Sequence, residues 1–216
     1  SRLITHQREF VRDASHQLRT PLAVLKIQAQ NGLSGHADAS ETLQAMHGTI
    51  DRAIRLANQM LALAKVEQVH HQDEPQTLDL CEPVREVVLV LAPLVADQQL
   101  GFELDADQPA WVSGHAWMLR ELTRNLLHNA IRATPVGGVL LVSVESGPGG
   151  ARLRVRDSGP GLDAARRAHL YEPFHTGPGG TGKGTGAGAG PTGTSGSGLG
   201  LAICRQICER LGGEIQ

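Results

Sequence analysis

The sequence predicts a molecule in two parts. Residues 1–73 read as an antiparallel helical hairpin that forms a dimeric four-helix bundle, and residues 74–216 as a two-layer α/β sandwich. Three observations carry this expectation. Apolar residues up to about residue 73 recur only at helical spacing, with no strand pattern. From about Gln76 short β-prone runs alternate with helical ones. The hairpin also carries two apolar stripes that two helices alone cannot bury well.

In the first helix Phe10, Ala14, Leu18, Leu22, Leu25 and Ala29 lie three or four apart and draw one stripe. Pro21 falls inside that stripe and is expected to kink the helix without ending it. Asn31-Gly32-Leu33-Ser34-Gly35 breaks the pattern, and Ser40, near Asp38, is the expected cap of a second helix. There Leu43, His47, Ile50, Ile54, Ala57, Leu61 and Ala64 alternate steps of four and three, with His47 the only polar member. A homodimer is the economical way to cover these stripes.

In the second part strands are expected at 76–80, 100–104, 139–144 and 153–157, and helices at 83–97, 115–133, 163–169 and 199–211. The turn Gly147-Pro148-Gly149-Gly150 makes the last two strands a hairpin. Residues 177–198 contain 11 glycines in 22 positions and too little apolar surface to hold one shape. The chain opens in a helical pattern and stops at Gly212-Gly213-Glu214-Ile215-Gln216, which reads as the start of a strand. A piece of a longer protein, its last strand truncated, is therefore expected.

With 40% apolar residues, 19% charged residues and a net charge of −2, the chain reads as globular and offers no electrostatic reason for a nucleic-acid partner. Three cysteines are too few for a disulfide framework and fit a reducing compartment. Cys204 and Cys208, four apart, suit a core-facing helix side better than a metal site. No run reaches the ~18 apolar residues of a membrane span. The longest, 87–96, is broken by Pro93, and no signal peptide is expected within these residues.

Four segments carry chemistry. Ala14-Ser15-His16-Gln17-Leu18-Arg19-Thr20-Pro21 places a histidine in mid-helix context. Any one of the ten histidines is ordinarily a surface residue, but Arg19, Thr20 and Pro21 set His16 apart. Asn125, Asn129 and Arg132 are spaced by four and three on one helix face, with Leu127 and Ile131 opposite. Amide oxygens and a guanidinium so stacked suit a Mg²⁺–triphosphate, although an amphipathic helix with a solvated side gives the same pattern. Asp157-Ser158-Gly159-Pro160-Gly161 follows a strand, where a carboxylate can accept from an adenine amino group; a simple turn explains it equally. Gly196-Ser197-Gly198-Leu199-Gly200 leads into a helix and offers amides to phosphate, a weak signal alone. Gly177-Pro178-Gly179-Gly180-Thr181-Gly182-Lys183-Gly184 is rejected as a P-loop, because Gly184 lacks the metal-binding hydroxyl and no strand precedes the segment. His70-His71 is read as solvated linker.

The segment around His16 resembles the phosphoacceptor box of the sensor histidine kinases of two-component signalling. The three later motifs, in order and spacing, resemble the ATP-binding domain that those kinases share with DNA gyrase, heat-shock chaperones and mismatch-repair ATPases. Tyr171-Glu172-Pro173-Phe174 is similar to the kinase motif that anchors the lid. The resemblance implies autophosphorylation of His16 from ATP and transfer to an aspartate on a response-regulator receiver domain. It implies Asn129 as main Mg²⁺ ligand with Asn125 assisting, Arg132 on the phosphates and Asp157 reading adenine. Gly159, Gly161, Gly198, Leu199 and Gly200 would shape the pocket, and 177–198 would be the ATP lid. Thr20, one turn from His16, matches the position linked to phosphatase activity. The resemblance also implies a cytoplasmic fragment of a parent anchored in a bacterial inner membrane.

Hydrolytic relatives carry a water-activating glutamate four residues before the metal-binding asparagine. Here that residue is Asn125, which cannot take a proton from water. Two departures bear on rate and affinity. Gln17 replaces the usual acidic residue after the histidine, and Ala133 replaces a frequent aromatic; some tricarboxylate-sensing kinases are similar in carrying His-Gln-Leu-Arg-Thr-Pro. These departures keep two alternatives open: a regulator phosphatase working through Thr20, and an ATP-binding pseudokinase scaffold.

Overall fold

The computed structural model describes residues 2–34, 38–68, 74–147, 149–162, 167, 169–173 and 198–216, with side chains described from residue 12 onward except that of Asp13. It comprises two compact units, Ser1–Ala62 and Leu63–Gln216. The division falls inside the second helix, upstream of the change in sequence texture near residue 73.

The first unit is built from α1 (Arg2–Leu33) and the greater part of α2 (Ala39–Gln68). Pro21 lies inside α1, which continues past it as its apolar spacing requires. At the closed end of the hairpin a Cβ on Gly32 would come within 3.0 Å of Thr42 Cγ2. Asp38, not Ser40, caps α2: its Oδ1 accepts the N–H groups of Ser40 at 2.8 Å and Glu41 at 3.0 Å. The shorter reach of an aspartate just outside the helix satisfies two N–H groups that Ser40, already inside the first turn, cannot.

Leu18, Leu25 and Ala29 of the α1 stripe are half-buried, whereas Leu22 is exposed; Phe10's side chain lies outside those described. On α2 the expected stripe stays largely open, with Leu43, Ile50, Ile54 and Leu61 exposed. A second row of α2, Thr49, Leu56 and Met60, is buried instead. Thr49 satisfies its hydroxyl by donating to Ala45 O at 2.9 Å and accepting from Arg52 at 2.8 Å.

The second unit contains the last turn of α2, then β1 (Gln76–Asp79), α3 (Cys81–Asp97), β2 (Gly101–Asp105), β3 (Trp111–Gly114), α4 (Ala116–Ala133), β4 (Val139–Gly147), β5 (Gly150–Asp157) and α5 (Gly200–Arg210). β2 runs parallel to β4, and β4 antiparallel to β5, in the order β2-β4-β5. A second, two-stranded sheet pairs β1 with β3. The alternation of β4 turns Leu140, Val142 and Val144 inward onto Val84, Val87 and Leu91 of α3 and Leu119, Leu127 and Ile131 of α4. Helices over one sheet face give the expected two-layer sandwich.

Two further differences from the expected elements stand out. β3 was not anticipated, because four residues without a long alternation carry almost no strand signal. Its place is set from outside: Asp79 Oδ1 accepts from Ala110 N at 2.9 Å, and Leu80 N donates to Ala110 O at 2.9 Å. Residues 212–216 form no strand; Gly212 N and Gly213 N donate to Glu209 O and Cys208 O and close α5. The helix expected over 163–169 lies almost wholly outside the described residues. Among those residues no helix is long and apolar enough to cross a membrane.

Candidate functional site

On α1, His16, Gln17 and Thr20 are all exposed, while Leu18 between them turns inward. The helix repeat puts His16 and Thr20 one turn apart on the same side. An exposed imidazole on a helix is accessible to groups that approach from solvent.

The nucleotide motifs gather in the second unit. α4 displays Asn125, Asn129 and Arg132 in order of depth: Asn125 is buried, Asn129 half-buried and Arg132 exposed. Asn125 Nδ2 donates to Glu121 O at 2.9 Å and to Glu121 Oε1 at 2.8 Å. Arg124 pairs with the other oxygen of Glu121. Leu127 and Ile131 on the far side are fully buried, so core packing fixes which face α4 presents.

The loop after β5 abuts the end of α4. Asp157 Oδ1 accepts from Gly159 N at 2.9 Å, which folds the loop back on its own carboxylate. Ser158 ties that loop to β4: its hydroxyl accepts from Val139 N at 2.8 Å, and its N–H donates to Val139 O at 3.0 Å. A Cβ on Gly159 would sit 2.5 Å from Ala133 O, so only glycine lets this loop approach α4. Gly161 and Gly198 hold φ of +72° and +68°, a region side chains disfavour.

α5 begins at Gly200, with Leu199 and Gly200 buried and Leu199 O accepting from Ile203 N at 2.9 Å. Cys204 docks α5 on α4 by donating its thiol to Leu122 O at 3.7 Å. Burial, then the nearby Cys208, pushes the Cys204 thiol far above its ordinary pKa, and burial likewise raises Cys208 and Tyr171. Both cysteines act as small packing groups at this seam. Residues 174–197, including Phe174, the rejected P-loop and nearly all of the expected lid, lie outside the described residues, as do His70 and His71.

Sequence reasoning had overlooked Glu121. Its signal was available: an acidic residue one turn before Asn125, between Leu119 and Leu122 on a core-facing flank. Among the described residues no three His, Cys, Asp or Glu side chains gather as a metal cluster. The donor set here is of amide oxygen, which suits a hard divalent cation carried in on nucleotide phosphates.

The described geometry matches known proteins along most of the chain. Residues 6–69 match the His Kinase A (phospho-acceptor) domain, and residues 114–216 match the histidine kinase-, DNA gyrase B-, and HSP90-like ATPase. The sensor protein QseC of Salmonella typhi is 32% identical over 181 residues, covering 82% of this chain and 39% of that protein. The chain thus spans about two-fifths of the length of that curated relative. The Acinetobacter baumannii histidine kinase AdeS shares the fold with a TM-score of 0.70 and 24% identity, covering 93% of this chain and 89% of that one. Histidine kinase ThkA, solved in complex with response regulator protein TrrA, gives a TM-score of 0.73 at 21% identity, over 98% of this chain and 57% of that one. With a phosphoacceptor domain followed by a gyrase-type ATPase domain, in that order and over both units, the chain belongs to the sensor histidine kinases.

Proposed function

We propose that this chain is the catalytic portion of a sensor histidine kinase that phosphorylates His16 from ATP and passes the phosphoryl group to an aspartate on a response-regulator receiver domain. Residues 1–73 are its dimerisation and phosphotransfer part and residues 74–216 its ATP-binding part, with 177–198 as the lid. The observation that carries this reading is the residue at 125. Asn125 occupies the place from which hydrolytic relatives activate water, and its Nδ2 is committed to Glu121. An amide in that position takes no proton, so the γ-phosphate is kept from water and left for another nucleophile.

In the reaction a neutral imidazole nitrogen of His16 attacks the γ-phosphorus, the bond to the β–γ bridging oxygen breaks, and ADP leaves. The imidazole N–H proton passes to solvent. A regulator carboxylate then attacks the phosphorus and the N–P bond breaks. Phosphoryl transfer of this kind needs alignment and charge neutralisation more than covalent help. Arg132 supplies positive charge toward the phosphates and Asp157 accepts from the adenine amino group. Asn129 and Asn125 would hold Mg²⁺, which when bound neutralises phosphate charge. Thr20, beside His16, positions water for the reverse, dephosphorylating reaction. The open α2 stripe supports a homodimer, and the likeness to sensor proteins such as QseC is the ground for reading the parent as membrane-anchored.

The test is labelling with γ-labelled ATP and Mg²⁺, beside His16→Ala. Acid-labile, base-stable label that disappears in the variant supports the kinase. Absence of label from a chain that still binds ATP contradicts it.

A further inference from the structure

We infer that Glu121 is a positioning residue that sets the orientation of the Asn125 amide, and that Arg124 holds Glu121 in place to do so. The inference rests on the reading of Asn125 as a Mg²⁺ ligand. Its observations are internal to α4. The Asn125 amide nitrogen has two hydrogens, and both find acceptors on one residue, Glu121 O at 2.9 Å and Glu121 Oε1 at 2.8 Å. Rotating the amide by half a turn would set Oδ1 against those same two oxygens, a repulsive arrangement. One orientation is therefore imposed, with Oδ1 turned away from Glu121. A cation is taken by amide oxygen and never by amide nitrogen, so this orientation decides whether Asn125 can serve as a ligand.

The carboxylate would be a poor choice for packing alone. Glu121 is 8% exposed and Asn125 5%, so both are desolvated, and an acid there is costly unless each oxygen is used. Both are used: Oε1 by Asn125 and Oε2 by the Arg124 guanidinium. Arg124 is half-exposed, so it links the buried pair to the surface while keeping Oε1 directed at the amide. Low local polarity strengthens each member of this relay. Loss of a partner that orients a metal-binding side chain typically costs about 10- to 100-fold in metal affinity.

The experiment uses the whole 216-residue chain and follows binding of a fluorescent ATP analogue against Mg²⁺ concentration, with a parallel titration in EDTA. Glu121→Met, which keeps the volume but removes the acceptor, is expected to weaken the Mg²⁺ dependence by about 10- to 100-fold. Binding in EDTA stays at the parent value. Glu121→Gln retains an acceptor and is expected to restore Mg²⁺ dependence to near the parent; equal loss in both variants overturns the acceptor argument. Unchanged Mg²⁺ dependence in Glu121→Met, with a loss in Asn125→Ala, overturns the positioning role and leaves the metal reading intact. Unchanged dependence in Asn125→Ala overturns both. Should Glu121→Met not fold, NMR of the unaltered chain decides: slowed solvent exchange of both Asn125 Nδ2 protons supports the relay, and exchange at the rate of an open amide refutes it.

Discussion

The two units treat apolar surface in opposite ways. In the hairpin, Leu22, Leu43, Ile54 and Leu61 are 60%, 66%, 53% and 68% exposed. In the ATPase unit, Ile131, Leu140 and Ile203 are wholly buried. A helix pair has one shared seam, so a second apolar row has nowhere to go within one chain. A sheet covered by helices closes its core alone. The difference teaches that the second unit closes a core within one chain, whereas the open row of the hairpin supports the homodimer proposed above.

That contrast can be broken most directly at the seam. Ile50→Asp together with Ile54→Asp is expected to remove about 3–6 kcal/mol of the proposed dimer's stability, since four half-exposed isoleucines, two per chain, would each bury roughly half of the ~1.5–3 kcal/mol of an aliphatic side chain. Sedimentation equilibrium reads the result, and nucleotide binding should not change. A dimer that persists would put the seam elsewhere.

The reciprocal change lies in the closed core. Ile131→Ala is expected to cost about 2–5 kcal/mol of ATPase-unit stability through the cavity it leaves. Urea unfolding followed by the fluorescence of Trp111 and Trp117 measures it, while self-association stays as before.

A third change separates the nucleotide loop from the core beneath it. Gly159→Ala sets a Cβ 2.5 Å from Ala133 O, where backbone must shift. We expect a cost of about 1–3 kcal/mol, felt chiefly as weaker ATP binding by calorimetry. Unaltered binding would show that the loop can retreat from α4 without consequence.

The smallest effect is expected at Asp79. Burial pushes its carboxyl up, but the N–H groups of Ala110 and Cys81 together outweigh it and hold the group below the ordinary value. A depressed folded pKa stabilises above the unfolded pKa and loses that contribution as pH falls through the folded one. Asp79→Asn should thus cost roughly 1 kcal/mol at neutral pH. The deficit should shrink below about pH 4, where the carboxylate of the unfolded chain begins to protonate, and vanish once pH falls through the lower folded value. Melting curves at several pH values would show it; a deficit independent of pH would assign the effect to shape alone.

Much of this molecule is legible from periodicity. α3, α4 and α5 fall within a few residues of their expected bounds, because each has a polar and an apolar side that a 3.6-residue repeat exposes. The shared face of Asn125, Asn129 and Arg132 was readable for the same reason: the other side of that helix must face the core. β3 was illegible, since its pairing with β1 depends on Asp79 reaching Ala110 across 31 positions of chain. The cap at Asp38 was misplaced because hydrogen-bond reach, not residue type alone, decides which group satisfies a helix end.

By itself the sequence determined the two-part plan, the helix that carries His16 and the helix face on which Asn125, Asn129 and Arg132 lie together. These follow from local spacing, which the chain carries wherever it is placed. Only the tertiary structure decided that Glu121 turns inward against the Asn125 amide, that Gly159 meets the Ala133 carbonyl, and that the open row of α2 is distinct from its buried one. Those outcomes depend on which surfaces meet, and residues far apart in the chain fix that through packing and the satisfaction of buried polar groups.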